Sequence, residues 1–196
     1  MLNTHNQRQF STVVGKLKRQ PMNHFEMNKI LTLPTWQVFL FLIFPVFFPM
    51  ETIVELIITI IWSGLIVYLV YFLGNSLYKR LPLGHDLKIS RFHINLFFPT
   101  IYLIIIFIVF DGGYDINQDN YKDFGWIIAI ILPLHFFTMY CIFYTIWFIA
   151  KSIATIENKK NVGFENYSSN FFLLWFFPIG IWWIHPKIRR IFTVDK

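Results

Sequence analysis

Long runs of apolar residues, separated by short polar segments, set the pattern of this chain. A helix that crosses ~30 Å of hydrocarbon needs about 20 apolar residues, because it rises 1.5 Å per residue. The clearest run is Trp126–Ala150, which contains no Asp, Glu, Lys or Arg. The pattern predicts four membrane-spanning helices, at residues 33–49, 52–77, 93–110 and 126–150.

The connections between the runs predict two helical hairpins. Pro49-Met50-Glu51-Thr52 makes a tight return between the first two helices, and an acidic loop at residues 111–123 joins the other two. A short repeat, YFLGNSL at residues 71–77 and WFIAKSI at residues 147–153, fits such a duplication. The predicted fold class is therefore all-α, an integral membrane four-helix bundle over residues 33–150.

Residues 151–196 are predicted to form a loop, a short aromatic segment and a basic tail. The aromatic segment, residues 171–184, reads FFLLWFFPIGIWWI and is interrupted by Pro178 and Gly180. As a helix it would extend only about 21 Å, which is less than the hydrocarbon thickness. We therefore expect a re-entrant or interfacial helix here instead of a fifth span.

The positions of Lys and Arg predict the orientation. With four spans and the N-terminus inside, only Lys122 among the 17 Lys and Arg residues faces outward. Cytoplasmic segments of membrane proteins are enriched in these residues. We therefore expect a multi-pass protein of the cytoplasmic (inner) membrane, with both termini in the cytoplasm.

Composition supports membrane insertion and indicates anionic lipid as the partner. Hydrophobic residues make up 56% of the chain and charged residues only 14%, whereas soluble domains average about 25% charged residues. The net charge of +6 is placed beside apolar runs, which favours anionic lipid headgroups over nucleic acid as the partner. The N-terminal segment, residues 1–32, carries an apolar stripe at Phe10, Val13, Val14 and Leu17 that is typical of an interfacial amphipathic helix.

His135 is the first candidate for a functional polar residue. It lies about 13 Å along the fourth predicted span from Trp126, near the midplane. An ionisable residue at that depth can relay a proton or bind a ligand. The alternative is a neutral histidine that bonds to a Tyr or Ser of a neighbouring helix, such as Ser63.

Glu51 and Glu55 form a second candidate site. Their i, i+4 spacing places both carboxylates on one helix face near the outer surface. Together with His135 they would suit a transport pathway. Otherwise they form a solvated first turn that favours the helix dipole.

Motifs of catalysis are missing from the sequence. It contains no HExxH, no GxSxG and no glycine-rich phosphate loop, and its one cysteine, Cys141, lies within an apolar run. The sequence therefore predicts no enzyme activity, no cofactor and no metal site.

The stretch Trp175-Phe-Phe-Pro-Ile-Gly-Ile-Trp182, followed by Pro186, resembles a C-terminal motif of small uncharacterised bacterial membrane proteins. That resemblance implies a membrane location and no particular activity. Trp175, Trp182 and Trp183 are the candidate interfacial anchors, since aromatic rings are enriched at membrane surfaces.

Two non-catalytic functions remain open from the sequence, beside a third alternative, a membrane enzyme that uses His135. The first is a non-catalytic accessory, assembly or lipid-interacting component, with an exposed aromatic surface at residues 171–183. The second is a small transporter or channel, formed as a homo-oligomer because four helices seldom enclose a polar path. The first function also allows a membrane-protein partner.

Overall fold

A computed structural model describes residues 33–43, 53–111 and 125–193, except for the side chains of residues 53–56, 59, 107–111 and 125–128. All regular secondary structure in these ranges is helical. From Pro34 onward the described residues belong to one compact unit. The helices are α1 (Thr35–Ile43), α2 (Ile53–Tyr78), α3 (Ile89–Asp111), α4 (Gly125–Asn158), α5 (Phe164–Trp175) and α6 (Phe177–Thr193).

Three of these helices are long and apolar enough to cross a membrane. The qualifying stretches are Ile60–Tyr78 in α2, Ile89–Ile106 in α3 and Ala129–Asn158 in α4. The all-helical class and the membrane location are confirmed at this level. For the first predicted span, residues 33–49, the structure describes helix only over α1, and residues 44–49 lie outside the described part. The four-span bundle therefore stays a prediction.

The helices extend beyond the apolar runs that predicted them. Helix α3 begins at Ile89, four residues before the predicted start of its span, and α4 continues to Asn158. The predicted loop after residue 150 is therefore helical in its first eight residues, which corrects the sequence-based boundary. Buried Ile153 and Ala154 explain the continuation, because they pack inside the protein. The helix ends where Lys159 adopts a left-handed φ of 52°.

Helices α2, α3 and α4 pack together around aromatic side chains. Phe92 of α3 and Phe148 of α4 are fully buried and stack with ring centroids 4.5 Å apart. Gly74 of α2 allows this arrangement, since a Cβ there would overlap the Phe92 ring. Tyr78 closes the cluster against Phe148 at 6.4 Å.

Helices α5 and α6 form an antiparallel hairpin that packs along α4. The predicted aromatic segment is divided at Phe176, where the chain turns, and not at Pro178 or Gly180. Pro178 lies in the first turn of α6, where a missing N–H does no harm. Gly180 packs directly on the backbone of Leu173, and no larger residue would fit there.

The hairpin tip and its ends contact two different levels of α4. At the tip, Trp175 stacks on Phe143 with ring centroids 4.1 Å apart. At the other end, Lys187 and Arg190 each approach Glu157 to 3.9 Å. Phe143 and Glu157 are about 21 Å apart along α4. Both ends of the hairpin therefore lie at the same end of α4, which we call the Lys151 end.

Helix α1 packs chiefly against the hairpin. Phe39 meets Trp182 of α6 at 6.0 Å between ring centroids, and the Thr35 hydroxyl lies 3.1 Å from His185 Nδ1. Phe41 also contacts Trp62 of α2. The first predicted span is thus joined to the C-terminal hairpin as well as to its sequence neighbour.

Candidate functional site

His135 lies on an exposed face of α4, among apolar side chains that are also exposed. Its Nδ1 is 3.4 Å from the hydroxyl of Tyr102 on α3, which is at the long end of the hydrogen-bond range. Ser63, the serine that the sequence suggested as a partner, is exposed on α2. The observed contact of His135 is therefore with a tyrosine of the neighbouring helix.

The paired carboxylates cannot be placed against His135. Glu51 lies outside the described residues, and Glu55 lies in the first turn of α2 with its side chain undescribed. The predicted convergence of Glu51, Glu55 and His135 on one pathway stays a prediction.

The three candidate tryptophan anchors all lie on the hairpin, and each is partly exposed. Trp175 is 37% exposed, Trp182 48% and Trp183 57%. Other exposed apolar side chains lie on the same two helices, and we call the whole set the hairpin surface. Its further members are Phe164, Phe172, Phe176 and Ile179. In other proteins, large exposed apolar patches commonly mark contacts with lipid or protein.

An ion pair between the buried Lys151 and a half-exposed aspartate was not predicted from the sequence. Lys151 Nζ donates a hydrogen bond of 2.7 Å to Asp86 Oδ2 in the α2–α3 loop. The Lys151 side chain is only 9% exposed, whereas that of Asp86 is 54% exposed. The ammonium donating this bond holds the pKa of the Asp86 carboxyl below its ordinary value.

One sequence signal could have indicated that Lys151 is buried. Lys151 follows Trp147 by four residues on the same helix face, and its ammonium lies 5.3 Å from the centroid of that ring. The apolar pattern then continues at Ile153 and Ala154. A lysine inside a continuing apolar period requires a partner, because an unpaired buried charge is costly.

A second polar cluster connects the two helices of the hairpin to each other and to α4. Lys187 of α6 donates a hydrogen bond of 2.8 Å to Asn170 Oδ1 of α5, and it also approaches Glu157 of α4. Asn170 is only 1% exposed, so its amide oxygen depends on this donor. The cluster fixes α5, α6 and α4 at one level.

The end of α6 is held by the loop after α2. Arg80 donates a hydrogen bond of 2.8 Å to the carbonyl of Ile191, and its guanidinium lies 4.5 Å from the Phe192 ring centroid. The Ile191 carbonyl belongs to the last turn of α6, where carbonyls lack helical partners. An arginine there also complements the negative end of the helix dipole.

His185 joins α6 to α1 through its ring. Its Nδ1 contacts the Thr35 hydroxyl, and the side chain is buried. Burial, together with the nearby Arg189 charge, lowers the pKa of His185. The ring is therefore neutral at physiological pH and acts as a hydrogen-bonding group.

Metal ligation has no support in the described part of the chain, where no group of three or more His, Cys, Asp or Glu residues is arranged to hold an ion. Comparison of the chain with protein-family models, with curated proteins and with solved structures found no match.

Proposed function

We propose that this protein is a non-catalytic component of a bacterial cytoplasmic membrane that engages lipids of the inner leaflet through its α5–α6 hairpin. The observation that carries the proposal is the hairpin surface. It combines exposed aromatic side chains with polar and positively charged residues at the Lys151 end of the hairpin.

The length of the hairpin supports a re-entrant position. Helix α5 has 12 residues and α6 has 17, which correspond to about 18 and 26 Å. Neither reaches the ~30 Å of a hydrocarbon core. Because both ends of the hairpin lie at the Lys151 end of α4, the hairpin enters the bilayer and returns to the same side.

The charge distribution supports a cytoplasmic position for the Lys151 end. Described basic residues at this end outnumber acidic ones by ten to three, and cytoplasmic surfaces are enriched in Lys and Arg. Anionic headgroups attract such a surface. The basic residues are Lys79, Arg80, Lys88, Arg91, Lys151, Lys159, Lys160, Lys187, Arg189 and Arg190, and the acidic ones are Asp86, Glu157 and Glu165.

Single-cysteine labelling in vesicles tests this placement. In a Cys141→Ser background, cysteines are introduced at Leu83 in the α2–α3 loop, at Ile179 near the hairpin tip and at Thr193 at its end. All three positions are exposed on the protein surface. A membrane-impermeant maleimide is then applied to inside-out and to right-side-out vesicles.

The proposal expects Leu83→Cys and Thr193→Cys to react only in inside-out vesicles, whereas Ile179→Cys is protected in both. Protection of Ile179→Cys must end when the membrane is dissolved in detergent, which shows that lipid covers the site. Labelling of Thr193→Cys from the opposite face would mean that the hairpin crosses. Reaction of Ile179→Cys in intact vesicles would show that the hairpin tip lies outside the bilayer.

The choice between lipid and protein as the occupant of the hairpin surface needs a second measurement. The tagged protein is purified at its native level in mild detergent, and the co-purifying proteins and lipids are quantified. Retained lipid without a stoichiometric protein supports the proposal. A stoichiometric protein that is lost in a Trp182→Ala, Trp183→Ala variant would identify an accessory role through a partner.

A small oligomeric transporter or channel is the second candidate, and the exposure of His135 favours it. An ionisable side chain on the outside of a spanning helix is costly in lipid. A neighbouring copy of the chain would cover it. Molar mass measurement in detergent distinguishes the two: a monomer contradicts the oligomer, whereas an oligomer that His135→Leu dissociates supports it.

A further inference from the structure

His135 and Ser63 are two exposed polar side chains on membrane-crossing stretches of different helices. His135 belongs to the Ala129–Asn158 stretch of α4, and Ser63 belongs to the Ile60–Tyr78 stretch of α2. Many of their neighbours along each helix are exposed apolar side chains. A histidine on such a surface is costly in lipid, because lipid offers its ring no hydrogen-bond partner. A protein surface that covers His135 therefore has to supply a hydrogen-bonding group at the same depth.

Contacts between α2 and α4 place Ser63 and His135 at nearly the same depth. Tyr78 of α2 meets Phe148 of α4 with ring centroids 6.4 Å apart, so these two residues mark one level. Ser63 precedes Tyr78 by fifteen residues, which is about 22 Å along α2. His135 precedes Phe148 by thirteen residues, which is about 20 Å along α4. The two helices run in the same direction, since each is antiparallel to α3, and the two depths therefore differ by only about 3 Å.

A second set of contacts, through α3, gives a similar depth. His93 Nε2 of α3 lies 3.1 Å from Asn75 Oδ1 of α2, and the Tyr102 hydroxyl of α3 lies 3.4 Å from His135 Nδ1. Tyr102 follows His93 by nine residues, whereas Ser63 precedes Asn75 by twelve on a helix that runs the opposite way. The difference of three residues corresponds to about 4.5 Å, which is less than one helical turn.

The contact with Tyr102 leaves one ring nitrogen of His135 without a partner. A neutral imidazole accepts a hydrogen bond at one nitrogen and donates one from the other. When the Tyr102 hydroxyl donates to Nδ1, the proton is on Nε2, which has no hydrogen-bond partner among the described residues. The same Nε2 in a second copy also carries a proton and cannot accept this bond. The Ser63 hydroxyl oxygen has lone pairs that can accept it.

We propose that a second copy of the chain covers His135, and that His135 Nε2 donates a hydrogen bond to Ser63 Oγ of the partner subunit. Copies with the same orientation in a membrane are related by rotation about an axis normal to it, which keeps every residue at its own depth. Donor and acceptor at equal depth are the condition that such a contact has to meet. The inference rests on the proposed function only for the membrane placement of α2 and α4. It gives the oligomer considered there a contact, and it does not depend on the hairpin.

Tyr68 is another exposed hydroxyl of α2 near this depth. It follows Ser63 by five residues, which turns it by about 140° around the helix. Its ring stacks on Phe72 of the same helix, with ring centroids 6.3 Å apart. Tyr68→Phe is therefore the matched control for Ser63→Val, because it removes a hydroxyl from a different side of α2.

Disulfide cross-linking between copies in intact membranes tests the proposal. Two differently tagged full-length chains, both with Cys141→Ser, are co-expressed at a low level, one with a cysteine on α2 and the other with a cysteine on α4. A membrane-permeant oxidant then joins cysteines whose Cα atoms come within about 7 Å. The matched pairs lie one turn to either side of the proposed contact, and all four positions are exposed or half-exposed. They are Ile60→Cys with Leu132→Cys, and Val67→Cys with Met139→Cys.

We expect both matched pairs to give the cross-linked product. The mismatched pair, Ile60→Cys with Met139→Cys, is about 10 Å or more apart in depth and should give little. Ser63→Val should lower the yield from the matched pairs about threefold, which corresponds to an average interhelical hydrogen bond in a membrane. Tyr68→Phe should leave the yield unchanged. If Ser63→Val does not accumulate in the membrane, His135→Leu removes the donor and should lower the yield in the same way.

Three results would overturn the proposal. The first is no product from either matched pair, which would leave His135 to lipid or to a different protein. The second is a chain with Leu132→Cys alone that cross-links to itself as well as to Ile60→Cys, which would indicate a symmetric contact of α4 with α4. The third is a yield in Ser63→Val that is no lower than in Tyr68→Phe, which would remove Ser63 as the acceptor.

The labelling experiment keeps this proposal separate from the hairpin proposal. Cross-linking of the matched pairs that depends on Ser63 supports the contact between copies even when Ile179→Cys proves accessible to water. Conversely, a protected Ile179→Cys without cross-linking of the matched pairs retains the hairpin proposal and refutes the contact between copies.

Discussion

Replacement of Gly180 by alanine is the sharpest test of the α5–α6 hairpin. An added Cβ would lie 2.7 Å from Leu173 Cα and closer still to the carbonyl carbon and oxygen of that residue, and real Cβ atoms essentially never approach below 3.0 Å. The obstacle is backbone, so no side-chain rotation can relieve the overlap. The two helices must move apart by roughly 1 Å or more, and overpacking of this kind costs about 1–3 kcal/mol.

The matched control is Gly64→Ala in α2. A Cβ at Gly64 meets nothing within 4 Å, so this replacement introduces no overlap. Alanine is favoured over glycine in a helix interior by roughly 0.5–1 kcal/mol. The same chemical change is therefore expected to destabilise the protein at position 180 and to leave it unchanged or slightly more stable at position 64.

Thermal unfolding of the purified variants in detergent, followed by tryptophan fluorescence, measures the difference. At the upper end of the range, a loss of about 3 kcal/mol lowers Tm by roughly 6–12 °C in a chain of this size. Gly180→Ala should melt well below the wild type, and Gly64→Ala should melt at or above it. Equal Tm values for Gly180→Ala and the wild type would refute the close packing of α5 on α6.

The polar contacts at the Lys151 end yield three further predictions. Asp86→Ala should destabilise the protein by about 1–3 kcal/mol, because it leaves the buried Lys151 ammonium unpaired. Lys151→Met should cost less, since the half-exposed Asp86 carboxylate can be hydrated. A larger loss of stability for Lys151→Met than for Asp86→Ala in the same unfolding assay would contradict this prediction. Because the folded-state pKa of Asp86 is lowered, its contribution is present above the unfolded-state pKa and is lost as pH falls through the folded-state pKa. The stability difference between wild type and Asp86→Asn should therefore be constant near neutral pH and shrink only in strongly acidic buffer, and a change between pH 6 and 8 would contradict this. Asn170→Leu removes the buried hydrogen-bond acceptor of Lys187 and should lower the free energy of unfolding by about 1–2 kcal/mol. Asn166→Leu, on the exposed face of α5, should have little effect on Tm. Equal effects of the two replacements would argue against the buried contact.

The positions of α2, α3 and α4 could be predicted from the sequence because hydropathy is a local property. A run of apolar residues of sufficient length identifies a candidate span whatever its neighbours are. The ends of these helices were harder to predict, since a helix continues as long as its backbone bonds and its packing permit. Lys151 shows the limit: its charge indicated the end of a span, yet the contact with Asp86 lets α4 continue to Asn158.

For the aromatic hairpin, the sequence predicted which residue types are present but not how the two helices pack. The tryptophans at positions 175, 182 and 183 are expected to be anchors; all three are partly exposed in the structure, and the anchor role stays a prediction. The turn at Phe176 was not predicted, because the sequence favoured an interruption of the helix at Pro178 and Gly180. A proline is compatible with the first turn of a helix, and Gly180 is small because Leu173 lies against it, which is a contact that the sequence does not reveal.

By itself, the sequence predicted an all-helical chain with four spans, and three of these fall on helices long and apolar enough to cross a membrane. That the C-terminal aromatic segment does not cross stays a prediction. Only the tertiary structure decided that α1 packs on α6, that Glu157 and Asn170 share Lys187, and that the buried Lys151 pairs with Asp86. The reason is physical. Transfer of an apolar run into lipid depends on the run alone, whereas the partner of a polar side chain depends on which helices meet.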